Sequence, residues 1–223
     1  MSYVKYKGYT IEIHLDTVPH DPREYDNLGK MVCFHGRHNL GDKHDLSIED
    51  AKMIERSSKH IALPLYLYDH YGITMNTIGF SCPWDSGQVG VIYVDKAAVR
   101  KEWGWKRLTP QRIQKIEGIL RSEVEVYDQY LRGDVYGYTV EDPDGSEKDS
   151  CCGFFGEDHK KSGLLDYARS SIDREVAEAE ELKKIEEMSD EDLLFNINTK
   201  WYSSKVEETY KKKCRCIFSY VVN

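Results

Sequence analysis

The chain has 223 residues, a net charge of −8, and 40% apolar and 12% aromatic residues. That is the composition of a folded protein able to bury one sizeable core, and it argues against a disordered chain. Between Asp173 and Asp192 ten acids face only Arg174, Lys183 and Lys184, so this stretch contributes −7 and the remainder −1. A nucleic-acid mimic with negative charge spread over its whole surface is therefore disfavoured. Apart from Lys211-Lys212-Lys213 and Arg215, no basic footprint for a nucleic acid is visible either. No run reaches the ~18–20 apolar residues of a membrane span, and the N-terminus has no apolar signal-peptide region. The expectation is a soluble, intracellular, cytoplasmic protein with reduced cysteines and no membrane partner.

In chain order, Tyr9–Leu15 alternates as a strand does, and Asp16–Gly29, with Pro19, Pro22 and Asn27-Leu28-Gly29, reads as a loop. Met31–His35 is expected as a buried strand. Ser47 with Asp50 three residues on forms a capping-box pattern and opens a helix over about Ile48–Ser58. Ile61–Tyr68 and Ile73–Ile78 read as two strands joined by the turn Asp69–Gly72. Pro64 belongs at a strand start, bulge or edge. Val89–Val94 is apolar enough for a central strand, and Asp95 caps a short helix ending near Trp103-Gly104.

Thr109 as N-cap, Pro110 at the first helical position and Gly133 after the last turn bracket a long helix. Its apolar face carries Ile113, Ile116, Leu120, Val124, Tyr127 and Leu131. Asp134–Glu141 and Ser150–Phe155 form a hairpin about the turn Asp142-Pro143-Asp144-Gly145. From about Leu164 to Met188 a second long helix sets Leu165, Ala168, Ile172, Val176, Ala179 and Leu182 against an acidic face. Ser189 with Asp192 can restart a further helix. Six or seven strands joined mostly by short turns predict an α+β fold. It is expected as a largely antiparallel sheet packed by one long and several short helices, with a core over residues 1–160 and a charged helical extension over 161–223. No GxGxxG, no GxxxxGK[ST] and no internal repeat is present.

Chemistry concentrates in Tyr25–Asp45, YDNLGKMVCFHGRHNLGDKHD, where three of the eight histidines fall within ten residues. His35, His38, Asp42 and His44 are nitrogen and oxygen donors suited to Zn, Mn or Fe, although a helical HxxxH pair is missing. Arg37 suits an anionic ligand instead, since a guanidinium grips carboxylate or phosphate with two parallel bonds, and Asp26 and Asn27 before the strand are further ligand-binding candidates. Cys82–Gln88 is a second candidate, with Trp84 as a stacking plate and Asp85, Ser86 and Gln88 as directional hydrogen-bonding groups. The bland alternative for both segments is a polar loop capping its own backbone. Asp69-His70 at a strand end can join either segment in space. A Ser86–His70–Asp69 triad lacks the GxSxG elbow. Cys151-Cys152 and Cys214-x-Cys216 lack zinc-knuckle spacing.

The blocks YDNLGKMVCFHGRHNLGD, IALPLYLYDHYGI, SCPWDSGQVGVIYV and EVEVYDQYLRGDVYGY resemble those of a family of small proteins encoded by tailed bacteriophages and prophages. The resemblance covers about residues 9–155. It implies an accessory product that acts on host or defence machinery, and it brings no catalytic residue or cofactor with it. The leading expectation is a non-catalytic protein that binds a host or defence macromolecule or an anionic ligand, with the acidic helix serving self-assembly or partner contact. The rival is a divalent-metal-dependent hydrolase or nuclease acting on a phosphoester. No cofactor is expected beyond that divalent metal, and nucleic acid stays open as a partner.

Overall fold

The computed structural model describes residues 1–189 together with Glu208 and Thr209. The proposed restart helix after Ser189, the basic run at 211–215 and Cys214-x-Cys216 lie outside the described residues. The elements are β1 (Ser2–Tyr6), β2 (Tyr9–Leu15), a 3₁₀ turn (Pro22–Glu24), β3 (Lys30–Cys33), α1 (Ile48–Arg56), β4 (His60–Asp69) and β5 (Ile73–Asn76). They continue with β6 (Ser86–Asp95), α2 (Lys96–Glu102), α3 (Pro110–Arg132), β7 (Val135–Glu141), β8 (Glu147–Phe155) and α4 (Leu164–Glu187). Among the described residues, two four-stranded antiparallel sheets with four α-helices make this an α+β fold. No helix among the described residues is long and apolar enough to cross a membrane.

The chain divides into two compact units. One comprises Met1–Ile13, Tyr138–Cys151 and Gly163–Asn223, and holds most of the sheet ordered β1-β2-β7-β8. Strand β1 went unread in the sequence. Its hairpin to β2 turns at Lys7 and Gly8, both at positive φ (49° and 87°), the backbone that a two-residue hairpin demands. Helix α4 buries Leu164, Leu165, Ala168 and Ile172 near its start and Ile185 near its end. Its acidic face carries Asp173, which accepts hydrogen bonds from Tyr6 and pairs with Lys7 at 2.7 Å.

The other unit, His14–Gly137 with Cys152–Ser162, contains the sheet ordered β3-β6-β4-β5. Strand β4 alternates as an amphipathic strand should: Ile61, Leu63, Leu65 and Leu67 are buried in one core with Met31, Ile92 and Met75. Helix α3 lays Ile116, Leu120, Val124 and Tyr127 on that core, while Ile113 and Leu131 pack at its margin. Pro64 stands two residues before β5 begins to pair at Tyr66, where β4 is locally an edge strand and the missing N–H is tolerated. A register shift follows between Leu65 and Tyr66. On the opposite face Val32, Ala51 and Val91 form a smaller cluster under α1. The Ser47/Asp50 capping box that starts α1 is present, and Thr109 caps α3 with Gly133 closing it in the left-handed region.

Candidate functional site

Strands β3 and β4 flank β6 and both run antiparallel to it, so both deliver their C-terminal ends where β6 begins. This topology joins segments far apart in sequence: the loop after β3, Asp69-His70 after β4, and Cys82–Asp85 before β6. The amide of Phe34 donates to the Val89 carbonyl at 2.7 Å and that of Asp69 to the Asp85 carbonyl at 2.9 Å. The loop after β3 is closed on itself, because Gly41 bridges back to Val32 and the Asp42 amide donates to the Met31 carbonyl at 2.8 Å. Gly41 is required there: its φ is +70°, and a Cβ would stand 2.7 Å from the Met31 carbonyl oxygen.

At this end three side chains of one loop converge on one carboxylate. Arg37 Nη2 lies 2.5 Å from Asp69 Oδ2, His38 Nε2 3.5 Å and His35 Nε2 3.8 Å from the same oxygen. The two imidazoles stack, centroids 5.0 Å apart and planes 12° from parallel. His35, His38 and Asp69 each offer one ligand atom, all within 4.8 Å of one another, so the group could hold a metal ion. It is the one such group among the described residues, and two imidazoles with one carboxylate are a donor set used for Zn, Mn and Fe.

The hydrogen bonds of His35 bear on that use. Its Nδ1 accepts from the backbone amides of Arg37 at 3.4 Å and His38 at 3.2 Å, which places the proton of the neutral ring on Nε2. A histidine that binds metal through Nε2 normally donates Nδ1–H to an acceptor, whereas here Nδ1 meets two donors. Ligation by His35 therefore sacrifices both loop hydrogen bonds. As arranged, Asp69 accepts a hydrogen bond from Arg37, with the Nε2 atoms of His38 and His35 close to the same oxygen.

The other residues expected from the sequence have separate placements. Asp42 belongs to a buried ion cluster instead of the His35/His38/Asp69 group: Arg23 Nε reaches Asp42 Oδ1 at 2.8 Å and Nη2 reaches Oδ2 at 3.0 Å. Asp42 Oδ2 also accepts from the Met31 amide at 2.8 Å. His44 turns Nε2 to the Cys33 carbonyl at 3.0 Å, and Phe34 meets its ring edge-on at 5.0 Å. Asn27 donates to the carbonyls of Pro22 and Tyr25 and so closes its own loop, while Asp26 is exposed. Ser86 donates to the Cys82 carbonyl, and His70 Nδ1 lies 3.5 Å from Asp85 rather than from Asp69, so no Ser86–His70–Asp69 triad forms. Gln88 donates to Glu55 at 3.1 Å, and Trp84 is 91% exposed. His35, His38, Asp42 and His44 do line one open polar cavity of about 780 Å³ inside the loop, together with Lys43.

Sequence reasoning passed over Arg23 and Glu123. The Arg23 side chain is 4% exposed and uses Nη1 on Glu123 at 3.3 Å and Nη2 on the Gly29 carbonyl at 2.7 Å. Glu123 also accepts from the amides of Leu28 at 2.8 Å and Gly29 at 3.1 Å. Gly29 makes this docking possible, since a Cβ there would stand 2.5 Å from Leu120. A signal was present: Glu123 falls one residue before Val124 on the apolar stripe of α3, and a carboxylate on a buried face calls for a buried cation. Comparison with family models, curated proteins and solved structures yields no match.

Proposed function

We propose that the loop-bearing end of this sheet binds an anionic group, a phosphate or carboxylate carried by a small molecule or a macromolecular partner, and that the protein works by binding and not by turnover. Arg37 carries the reading. Its side chain is 72% exposed, and its partner Asp69 is one that an incoming anion can replace. An ion pair at such exposure contributes only about 0–1 kcal/mol, so exchanging it costs little. His35 and His38 flank the same position and add donors to a bound oxyanion. The resemblance to phage accessory products points to a ligand or macromolecule of a host or defence system, and the contrast with the fully engaged Arg23 supports a ligand role for Arg37.

Titration with inorganic phosphate, followed by NMR of the histidine ring protons, tests this. The expected result is saturable shifts at His35 and His38, with affinity weakened about tenfold in Arg37→Ala, the loss of one charge-assisted contact. Shifts that are absent, or unchanged in Arg37→Ala, sink the proposal.

The second reading is a divalent-metal site that activates water for phosphoester hydrolysis, and the 4.8 Å convergence of His35, His38 and Asp69 favours it. Elemental analysis of protein prepared without a histidine tag decides it. Near-stoichiometric Zn, Mn or Fe, lost in His38→Ala, establishes the site. Trace metal indifferent to that substitution dismisses it.

A further inference from the structure

The polar cavity within the loop after β3 shares two of its walls, Phe34 and Ile48, with a second cleft of about 190 Å³ between α1 and β6. We infer that the two cavities form one bipartite site for a nucleotide-class ligand, with a flat ring in the cleft and its phosphate in the polar cavity. This deepens the anion-binding reading and rests on it.

Charge assigns the phosphate end. The cavity is lined by His35, His38 and Lys43, and its one carboxylate, Asp42, is paired with Arg23, a cation it shares with Glu123. Arg37, between the two histidines in sequence, adds a cation at the same loop. An anion entering here meets these donors and takes the place of Asp69 on Arg37.

Shape and surface assign the ring end. The cleft runs between a helix and a strand and is walled by Phe34, Ile48, Ala51 and Val91. Ile48 is half exposed, an apolar wall left open. Phe34 packs in a T-shaped pair with His44, centroids 5.0 Å apart, which fixes its ring as a wall for stacking. At 190 Å³ the cleft is below the range of sites for drug-sized ligands, which suits one ring system and not a peptide or a long acyl chain.

Two polar features suit the edge and the sugar. Gln88 Nε2 bridges to Glu55 at 3.1 Å and to the Gly90 carbonyl at 3.3 Å, setting an amide and a carboxylate at the cleft wall. Amides and carboxylates are the groups that read the donor and acceptor pattern of a heterocycle. His44 lines the adjoining cavity, and its Nδ1 is buried with no hydrogen-bond partner. Its Nε2 donates to the Cys33 carbonyl, so Nδ1 is left as an acceptor, and a ribose hydroxyl would satisfy it. The ligand is held by side chains, consistent with a chain that has no glycine-rich phosphate loop.

Calorimetric titration with AMP, GMP, CMP and UMP, beside the matching nucleosides and inorganic phosphate, tests the inference on the full chain. At least one mononucleotide is expected to bind about tenfold or more tighter than either phosphate or its own nucleoside. Ile48→Trp, which fills the cleft from a half-exposed position, should remove the gain over phosphate, and Arg37→Ala the gain over nucleoside. Gln88→Ala, an exposed change that leaves the fold intact, should alter the ranking of the four bases if Ile48→Trp proves unstable. Mononucleotides no tighter than phosphate overturn the bipartite site and leave the anion site standing. A nucleotide gain indifferent to both Ile48→Trp and Gln88→Ala likewise removes the cleft from the account. Absence of any binding overturns both readings.

Discussion

Replacing Arg23 with methionine is expected to cost far more stability than any change at Arg37, although each arginine pairs with an aspartate. Arg23 is 4% exposed, and three acceptors, Asp42, Glu123 and the Gly29 carbonyl, take its Nε, Nη1 and Nη2. Methionine keeps much of the volume and removes the charge. It leaves Asp42 (22% exposed) and Glu123 (12% exposed) with backbone N–H partners but no cation. Removing one partner of a buried ion pair costs about 3–5 kcal/mol, because the remaining charge is stranded in a poorly solvated place. The retained amide bonds at both carboxylates hold the expectation near the lower end, about 3 kcal/mol.

Urea unfolding followed by tryptophan fluorescence reads this directly, since Trp103 and Trp105 pack against the core of the same unit. For a chain of this size, about 3 kcal/mol corresponds to a fall of about 6–12 °C in Tm. The triple variant Arg23→Met, Asp42→Asn, Glu123→Gln should recover part of the loss, because no charge is then stranded. Arg37→Ala should stay within about 1 kcal/mol of wild type. An Arg23→Met protein within about 1 kcal/mol of wild type would refute the stranded-charge argument.

Two further outcomes follow from packing and burial. Gly90→Ala should disrupt the β3–β6 pairing, with a loss of at least about 3 kcal/mol, because a Cβ there would lie 1.9 Å from the Val32 carbonyl oxygen. Gly87→Ala in the same strand meets nothing within 4 Å and should stay within about 1 kcal/mol, and equal Tm values for the two variants would contradict the packing. Burial pushes the Cys33 thiol up from 9.0 to about 12, so the folded state keeps its proton where the unfolded state loses it. The stabilisation is complete below pH 9 and is lost as pH rises toward 12, at up to about 1.4 kcal/mol per pH unit. Cys33→Ala should flatten that alkaline limb in pH-dependent urea unfolding, and an unchanged slope would count against a buried, protonated thiol.

What could be read along the chain was local. Thr109, Pro110 and Gly133 bracket α3 to the residue, and Ser47 with Asp50 starts α1, because capping is settled within one turn of backbone. The alternation from Tyr9 to Leu15 announced β2 for a similar reason, since successive side chains of a strand must face opposite sides. The antiparallel α+β class followed from short turns between strands. Strand β1 escaped because Lys7-Gly8 is a modest turn signal between residues that are mostly exposed.

The site was half legible. The density of His35, Arg37 and His38 marked the loop whose side chains meet Asp69, but composition could not separate Asp42 from Asp69. Both are carboxylates beside polar loops, and which cation each one meets depends on strand order. With β6 between β3 and β4, the ends of those strands bring Asp69 to the histidines. The docking of the Leu28-Gly29 loop on α3 sends Asp42 to Arg23. The sequence by itself determined where helices and strands begin, which faces are apolar and which short segment is rich in donors, since these depend on contacts within a few residues. Tertiary structure alone decided which charges are buried and which stay exposed. Desolvation and Coulomb energy depend on three-dimensional surroundings that no linear spacing records.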